Sequence, residues 1–343
     1  MKLKIGKNVN ITNQSRPLII AEVSANHNGS KKLFMNHIRS AVKNGADLIK
    51  IQTYEPEDIT LKSRDKNFII KNGTWKGKNL WDLYSRACTP FSWHNDAFKL
   101  AKKLKTPLFS SPFSKRAVDL LEKFKVPIYK IASFEITDLS LIDYIARKKK
   151  PIFLSTGMAS LKEIKKAIAV IEKYHNKILI LYCVSGYPTT EEETNILTIK
   201  KFQKVFKKYF IGISDHTNDI FSALSATSFG VKVIEKHFIT DKKINSLDKM
   251  FSINPEQLKK LKKYSGKIFL TLKSSNIGPK KNEMNSIKLR RSIFAIKNIK
   301  KGEKFSNKNI GSFRPKIGLG AENYFRILGK KSNKNILKGS PIF

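Results

Sequence analysis

The sequence PIFLSTGMASLKEIKKAIAVI, residues 151–171, contains the repeating unit that decides the fold of this chain. Its first four residues predict a buried β-strand, and a short turn follows them. Ser160 and Glu163 then have the spacing of a capping box, which marks the start of a helix. The apolar residues that return on one face of this helix are Ile164, Ala167, Ile168 and Ile171.

The same succession of strand, turn and helix recurs along residues 1–273. Eight apolar, β-prone runs begin the units, at residues 17–20, 47–49, 107–109, 127–129, 151–154, 178–181, 210–213 and 231–234. Strands that are apolar throughout and alternate with helices form a parallel sheet that is covered by the helices. Eight such units predict an α/β fold, the (β/α)8 TIM barrel, in preference to an open doubly wound sheet.

The character of the sequence changes after residue 273. Residues 274–286 begin with the turn-rich stretch SSNIGP and predict a linker. In residues 287–343, short β-prone pieces alternate with turns that contain glycine, and two pieces, residues 299–303 and 336–340, resemble each other. We expect a small, mostly β domain there, which is marginally stable alone.

The composition predicts a folded protein without a membrane segment. Hydrophobic residues make up 41% of the chain, yet no apolar run approaches the roughly 18–20 residues of a membrane span. The first residues, MKLKIGKNVN, lack the apolar stretch of a signal peptide. The two cysteines are too few for a disulfide framework or a four-cysteine zinc site. We therefore expect a cytoplasmic protein with no membrane partner.

The net charge makes nucleic acid an alternative partner. Lysine and arginine outnumber aspartate and glutamate by 67 to 27, a net charge of +40. Only 10 of the 67 are arginine, the residue that base and phosphate recognition favours. The lysines are scattered over the polar faces of predicted helices, and no run exceeds Lys148-Lys149-Lys150. We expect no nucleic-acid partner, although such a positive field attracts small anionic substrates.

Polar side chains follow every one of the eight predicted strands. Because the active site of a TIM barrel lies where its strands end, these residues predict one shared site. They are Glu22, Lys50, Gln52, Ser110, Ser111, Lys130, Ser133, Ser155, Thr156, Cys183, Ser185, Ser214, Asp215, His216, Glu235 and His237. The alternative is a degenerate barrel that serves as a scaffold, and the complete set argues against it. No nucleotide-binding loop or serine-hydrolase motif is present.

Two histidines predict a metal site. His216 and His237 follow the seventh and eighth strands, which are neighbours in a barrel. Neutral imidazoles suit a divalent transition metal, and two of them leave positions for water and a substrate oxygen. The alternative is a pair of ordinary, partly buried histidines that are held by hydrogen bonds.

Two lysines predict an anion clamp. Lys50 and Lys130 lie where a buried ammonium group requires an anionic partner. They can hold a phosphate and a carboxylate, with support from the hydroxyls of Ser133, Ser155 and Ser214. The alternative is a structural ion pair with Glu22 or Glu135.

The chain resembles the sialic acid synthases along essentially its whole length. The stretches that carry this resemblance are IIAEVSANHNG (19–29), NGADLIKIQTY (44–54), FSSPFS (109–114), YKIASFE (129–135), LSTGM (154–158), GISDHT (212–217), IEKHF (234–238) and FRPKIG (313–318). Within the family, the stretches most similar to the pseudaminic acid synthase branch are EVSAN (22–26), FIIKNGTW (68–75), TPFSWH (89–94) and HFITDKKINSLDKMFS (237–252).

The resemblance implies a barrel enzyme with a C-terminal antifreeze-like (SAF) domain. Such enzymes condense phosphoenolpyruvate with an amino-sugar aldehyde and water, and release phosphate by C–O cleavage. The branch implies 2,4-diacetamido-2,4,6-trideoxy-L-altrose as the sugar, and synthesis of N-acetylneuraminate or legionaminate is the alternative. The resemblance also implies a domain-swapped homodimer in which the SAF domain of one subunit covers the site of the other.

The resemblance further implies roles for single residues. His216 and His237 match the metal ligands, which hold Mn²⁺ or, as alternatives, Mg²⁺ or Co²⁺, and Glu22 matches the acidic residue after the first strand. We expect Glu22 to orient the attacking water or to handle its proton. The residues that match the phosphoenolpyruvate site are Lys50, Ser111, Lys130, Ser133, Ser155 and Ser214. Those that match the sugar site are Gln52, Tyr187, Asp248 and, from the neighbouring chain, Arg314. Ser111 replaces a threonine and keeps the hydroxyl, whereas Ser185 replaces an asparagine and has no assigned role.

Overall fold

Eight parallel strands close into a barrel in the computed structural model, which describes residues 1–6 and 9–343. The barrel lies in the first of two units, Met1–Lys273, and the second unit is Ser274–Phe343. The strands of the first unit are β1 (Lys2–Ile5), β2 (Val9–Thr12), β3 (Leu18–Glu22), β4 (Leu48–Thr53), β5 (Leu108–Pro112), β6 (Tyr129–Ile131), β7 (Ile152–Ser155), β8 (Ile178–Cys183), β9 (Phe210–Asp215) and β10 (Val233–His237). Strands β3 to β10 pair in chain order and β10 closes on β3, so the prediction of a TIM barrel is confirmed.

Helices cover the outside of the barrel. They are α1 (Lys31–Lys43), α2 (Leu80–Ala87), α3 (Phe91–Lys103), α4 (Lys115–Lys123), α5 (Leu139–Ala146), α6 (Leu161–Glu172), α7 (Thr198–Val205), α8 (Phe221–Ser228) and α9 (Pro255–Thr271). Before α6, the side chains of Ser160 and Glu163 form the predicted capping box. Residues 54–79, between β4 and α2, form the longest connection between a barrel strand and a helix among the described residues.

Apolar side chains fill the barrel interior at alternate positions of the strands. They are Ile20, Leu48, Phe109, Ile128, Phe153, Leu179, Leu181, Phe210 and Val233. The antiparallel hairpin of β1 and β2, which the sequence reasoning missed, joins this cluster through Leu3, Ile5 and Ile11. Because apolar side chains fill the interior, the polar residues that could form an active site are confined to the carboxyl ends of the strands.

The observed strands extend further towards their carboxyl ends than the apolar runs that predicted them. Strand β3 continues to Glu22, and β10 continues to His237 and pairs with β3 along its whole length. Backbone pairing does not depend on side-chain polarity, so a strand continues for as long as its neighbours accept hydrogen bonds. The polar residues are therefore held within the sheet and not in loops.

The second unit is small and contains a β-hairpin. Its strands are β11 (Ser292–Ala295) and β12 (Ile310–Phe313), and its short helices are α10 (Met284–Ile287) and α11 (Tyr324–Ile327). The two similar pieces of sequence meet, because Ile299 and Ile336 form an antiparallel bridge with both N–H···O=C distances at 2.8 Å. Its core is Ile293, Ala295, Ile299, Ile310, Ile327, Ile336 and Ile342.

Across residues 1–6 and 9–343, none of the helices combines the length and the apolar content that a membrane crossing requires.

Candidate active site

Eight residues form a polar layer at the carboxyl ends of the barrel strands. Each stands two residues after a position of the barrel interior, and it faces that interior because side chains alternate along a strand. The polar layer consists of Glu22, Lys50, Ser111, Lys130, Ser155, Cys183, Ser214 and Glu235. None of the eight is more than 5% exposed. The barrel thus brings together six of the predicted site residues.

Glu235 lies at the centre of the charges in the polar layer. Its Oε1 accepts hydrogen bonds from Lys130 Nζ at 2.7 Å and Ser214 Oγ at 3.0 Å, and lies 3.6 Å from Lys50 Nζ. Lys50 also forms an ion pair with Glu22. Lys50 therefore pairs with Glu22, one of the two partners considered in the sequence analysis. Lys130 pairs with Glu235, which was predicted to lie in the site but not to be the partner of a lysine. Each ammonium group has three N–H donors, so donors remain for a further anion.

The pKa values of this cluster reflect both burial and pairing. Burial by itself would raise the pKa of Glu235, but Lys130 and Lys50 outweigh it and lower the pKa to about 2. Burial lowers the pKa of Lys130, and Glu235 compensates only in part. Burial also opposes the charge of Lys50, but Glu22 and Glu235 raise its pKa above the ordinary value. Glu235 and Lys50 are therefore charged at neutral pH.

Two hydroxyl groups of the polar layer indicate a ligand. Ser111 Oγ and Ser155 Oγ are buried, and neither has a hydrogen-bond partner among the residues that the structure describes. Because native structures pair nearly all buried polar groups, such atoms require an explanation. Hydroxyl donors beside ammonium groups suit a phosphate or a carboxylate. Ser133, the remaining predicted hydroxyl, accepts the N–H of Gly157 at 3.1 Å.

His216 and His237 lie one step beyond the polar layer, two residues after Ser214 and Glu235. Their ring centroids are 5.3 Å apart, and both side chains are buried. His216 Nδ1 lies 2.9 Å from the carbonyl oxygen of Val184, which can only accept a hydrogen bond. In the neutral ring, Nδ1 therefore carries the proton and Nε2 keeps a lone pair.

The two imidazoles fit one divalent ion. Rings that bind the same ion at about 2.1 Å with a roughly tetrahedral angle have centres about 5 Å apart, close to the distance observed. His237 Nδ1 lies 3.5 Å from Asp248 Oδ2 and has no hydrogen-bond partner within the described part of the chain. Residues 1–6 and 9–343 contain no cluster of three or more His, Cys, Asp or Glu side chains that could hold a metal ion. The protein would thus supply two ligands, and the others would come from substrate or water.

A cavity of about 540 Å³ opens beside His237. Three of the predicted sugar-binding residues, Gln52, Tyr187 and Asp248, line it. The volume lies within the ordinary range for small-molecule sites. Arg314, the fourth predicted sugar residue, belongs to the second unit and is exposed.

Asn26 links the loop after β3 to the segments that follow His237 and carry Asp248. The sequence reasoning missed this role. Its side-chain amide donates to Phe238 O at 3.0 Å and to Ser252 Oγ at 2.7 Å. Ser252 Oγ in turn donates to Asp248 O at 2.7 Å, and the N–H of Ala25 donates to Asp248 Oδ2 at 3.3 Å. Asp248 is thus held beside His237 by residues that are distant in the sequence. A polar side chain four residues after the end of β3 was the only available signal.

Asp215 lies outside the site, although it precedes His216 in the sequence. Its Oδ2 pairs with Lys236 Nζ at 3.2 Å, and its Oδ1 accepts the N–H of Thr217 at 2.9 Å. Asp215 and Lys236 each directly follow a residue of the polar layer, Ser214 on β9 and Glu235 on β10. Because side chains alternate along a strand, Asp215 and Lys236 point away from the barrel interior. This pair is structural.

Glu135 is a further candidate that the sequence reasoning had considered only as an ion-pair partner. It lines the cavity, and its Oε2 is buried without a hydrogen-bond partner among the described residues. Burial raises its pKa to about 7, and Asp138 adds to this effect, although Lys50 and Lys130 oppose it. A carboxyl group of this kind exchanges a proton near neutral pH.

We expect E135Q to change how stability depends on pH. The pKa of Glu135 is raised on folding from 4.5 to about 7, so the stability that its protonated form contributes is complete below pH 4.5 and is lost as the pH rises through 7. The free energy of unfolding of E135Q minus that of the wild type should therefore grow by about 1–3 kcal/mol between pH 5 and 8. Urea unfolding at several pH values measures it. The exposed-site variant E191Q serves as the control, and a constant difference for E135Q would contradict the prediction.

The chain is similar to known proteins along most of its length. Residues 37–276 match the NeuB family, and residues 290–343 match the SAF domain. The chain is 41% identical to pseudaminic acid synthase of Helicobacter pylori over 95% of this chain and 96% of that protein. It is 39% identical to pseudaminic acid synthase of Campylobacter jejuni over 97% of each. Among solved structures, N-acetylneuraminic acid synthetase of Leptospira borgpetersenii, in complex with citrate, superposes with a TM-score of 0.75 at 28% identity, covering 84% of this chain and 95% of that one.

Proposed function

The chain belongs to the NeuB family, and from this premise we propose that it is a pseudaminic acid synthase. It joins C3 of phosphoenolpyruvate to the aldehyde carbon of 2,4-diacetamido-2,4,6-trideoxy-L-altrose, and water adds to C2 as phosphate leaves by C–O cleavage. The proposal is supported by the polar layer, which buries two ammonium groups together with two serine hydroxyls that have no partner among the described residues. The names of the two bacterial relatives support the choice of sugar.

The residues of the polar layer bind phosphoenolpyruvate. Lys50 and Lys130 hold its phosphate and carboxylate through the N–H groups that their carboxylate partners leave unused. The hydroxyl groups of Ser111 and Ser155 donate hydrogen bonds to phosphoenolpyruvate, and Ser133 and Ser214 lie beside them. Burial strengthens each of these contacts because little water competes for the charges.

The sugar lies in the cavity beside His237. Gln52, Tyr187 and Asp248 contact its polar groups, and His216 and His237 hold a divalent ion, for which we propose Mn²⁺. When bound, this ion supplies Lewis-acid polarisation of the aldehyde oxygen. Glu22 orients the attacking water, and either Glu22 or Glu135 holds the proton that the water loses.

A phosphate-release assay tests the proposed function. Purified protein with Mn²⁺ and phosphoenolpyruvate is supplied with one of three sugars: the altro sugar named above, its manno-configured counterpart, or N-acetylmannosamine. We expect release with the altro sugar, and phosphoenolpyruvate labelled with ¹⁸O at the bridging position should give labelled phosphate. Faster release with the manno sugar would indicate legionaminate synthesis, and faster release with N-acetylmannosamine would indicate N-acetylneuraminate synthesis. Filter binding over a salt series tests for nucleic acid, and we expect none to bind.

We extend the proposal to a domain-swapped homodimer in which Arg314 contacts the sugar bound to the partner subunit. The variants R314A and H237A should each be nearly inactive alone. After subunit exchange, a mixture should regain about a quarter of the wild-type rate, because half of the dimers are mixed and each has one intact site. Light scattering should give the mass of a dimer. A mixture that stays inactive although the subunits have exchanged would contradict this arrangement.

A further inference from the structure

The long connection between β4 and α2 reaches across the cavity. Within it, Ile69 and Asn79 form an antiparallel bridge, and Ile70 N–H donates to Lys78 O at 2.9 Å, so residues 69–79 form a hairpin-like loop. Trp75 lies near the tip of this loop and lines the cavity, whereas its neighbours Thr74 and Lys76 are exposed. The loop therefore carries a large aromatic ring to the mouth of the site.

The tip of this loop is anchored on two other connections of the barrel. The ring of Trp75 packs against Tyr187, with centroids 5.9 Å apart, and against Phe251, with centroids 6.3 Å apart in an edge-on arrangement. The hydroxyl of Thr74 donates to the carbonyl oxygen of Tyr187. Trp75 is consequently held in place by residues that follow β8 and β10, next to a predicted sugar-binding residue.

The indole N–H of Trp75 is a donor without an acceptor. Nε1 is buried, and within the described part of the chain it has no hydrogen-bond partner. Buried tryptophan N–H groups usually find a partner. A substrate that binds in the cavity lined by Trp75 can supply this acceptor. The buried N–H therefore points to a hydrogen-bond acceptor on the bound substrate.

The connection that carries Trp75 also adds apolar residues to the cavity wall. The same connection and the start of α2 contribute Ile59, Ile70, Leu80 and Leu83. Aliphatic side chains cannot pair with hydroxyl groups, so a sugar that presented hydroxyls here would bury them without partners. A ligand group that combines one acceptor with a methyl group matches the single N–H donor and its hydrocarbon surroundings. The carbonyl and the methyl of an acetamido group supply this combination, provided that its N–H points away from the aliphatic residues.

On the basis of the proposed function, we propose that Trp75 determines substrate specificity by donating its indole N–H to the carbonyl of the 4-acetamido group. The aldehyde carbon reacts at the barrel mouth, near His237, so C4 and C6 at the other end of the sugar extend into the part of the cavity that Trp75 and the aliphatic residues line. These aliphatic residues then cover the acetamido methyl and C6, which carries no hydroxyl in a 6-deoxy sugar. N-Acetylmannosamine presents hydroxyls at both positions and is disfavoured.

Steady-state kinetics with paired sugars tests this proposal. The first sugar is 2,4-diacetamido-2,4,6-trideoxy-L-altrose, and the second is its analogue with a hydroxyl in place of the 4-acetamido group. W75F keeps an aromatic ring and removes the donor, so we expect KM for the diacetamido sugar to rise about tenfold, the loss of one hydrogen bond. KM for the analogue, KM for phosphoenolpyruvate and kcat should each change less than about twofold. W81F is the matched control, since Trp81 lies on α2 outside the cavity lining, and it should behave as the wild type.

The outcomes separate this inference from the proposed function. If the wild type uses the diacetamido sugar and W75F loses the same factor with both sugars, Trp75 only packs over the cavity and the inference is overturned. An unchanged KM in W75F overturns it as well. If the wild type prefers N-acetylmannosamine, the proposed function fails, and the inference fails with it.

Discussion

H237A is expected to release phosphate from phosphoenolpyruvate at least about 10³-fold more slowly than the wild type. His237 is one of two imidazoles whose centroids lie 5.3 Å apart at the barrel mouth, so its loss leaves a bound ion with one protein ligand. Lewis-acid stabilisation is worth several kcal/mol, and each 1.36 kcal/mol is a factor of ten in rate. The assay uses saturating Mn²⁺ and both substrates, and metal analysis of the purified variant should find the Mn²⁺ content reduced.

His94 offers a matched control for this variant. It is fully buried, and its ring nitrogens lie 2.8 Å from Thr53 Oγ1 and 3.2 Å from Pro90 O, so neither is available to a metal. H94A should lower the melting temperature, yet its folded fraction should keep both Mn²⁺ and turnover. Retention of Mn²⁺ and near wild-type turnover in H237A would exclude the metal assignment.

K130M is expected to reduce kcat/KM for phosphoenolpyruvate by at least about 100-fold, while KM for the sugar changes little. Lys130 is 2% exposed, and its ammonium group lies 2.7 Å from Glu235 Oε1. In the proposed function, its remaining N–H groups would make charge-assisted hydrogen bonds to the substrate anion, each worth about 1.5–3 kcal/mol. Removal of one partner of a buried ion pair also costs about 3–5 kcal/mol of stability. Substrate kinetics and urea unfolding measure the two effects separately.

Two further variants distinguish the role of Lys130 in binding from its role in stability. K130M/E235Q removes the uncompensated carboxylate and should recover part of the lost stability without recovering the affinity for phosphoenolpyruvate. K236M disrupts another buried lysine pair, with Asp215 at 3.2 Å outside the polar layer. It should be destabilised similarly and keep its KM for phosphoenolpyruvate. Full recovery of kcat/KM in the double variant would mean that Lys130 is purely structural.

The barrel architecture could be predicted from the sequence because the sequence patterns that indicate strands and helices are local. An apolar run, a turn and a helix recur eight times, and each signal depends on residues within one or two turns of one another. The same locality predicted Lys50, Lys130, His216 and His237 as site residues, since each lies within three positions of the end of an apolar run. The hairpin of β1 and β2 was missed because its short strands, such as Lys2–Ile5, contain too few apolar residues to be distinctive.

The pairing of charges could not be predicted in the same way. Lys130 and Glu235 are separated by 105 positions, and Lys50 shares the same carboxylate. Which ammonium group reaches which carboxylate depends on the tilt of the strands and on closure of the barrel, which together set distances across its interior. Trp75 is a similar case, because only the folded loop brings its ring onto Tyr187 and Phe251.

The amino-acid sequence by itself determined the barrel and which strands end in polar side chains, because hydrophobic periodicity and helix capping act between near neighbours. Tertiary structure alone decided that Asp215 leaves the site to meet Lys236, that Glu235 joins the two lysines, and that Trp75 covers the cavity. The physical reason is that hydrogen bonds and ion pairs depend on distances of a few ångströms, and closure of the barrel sets those distances between residues far apart in the chain.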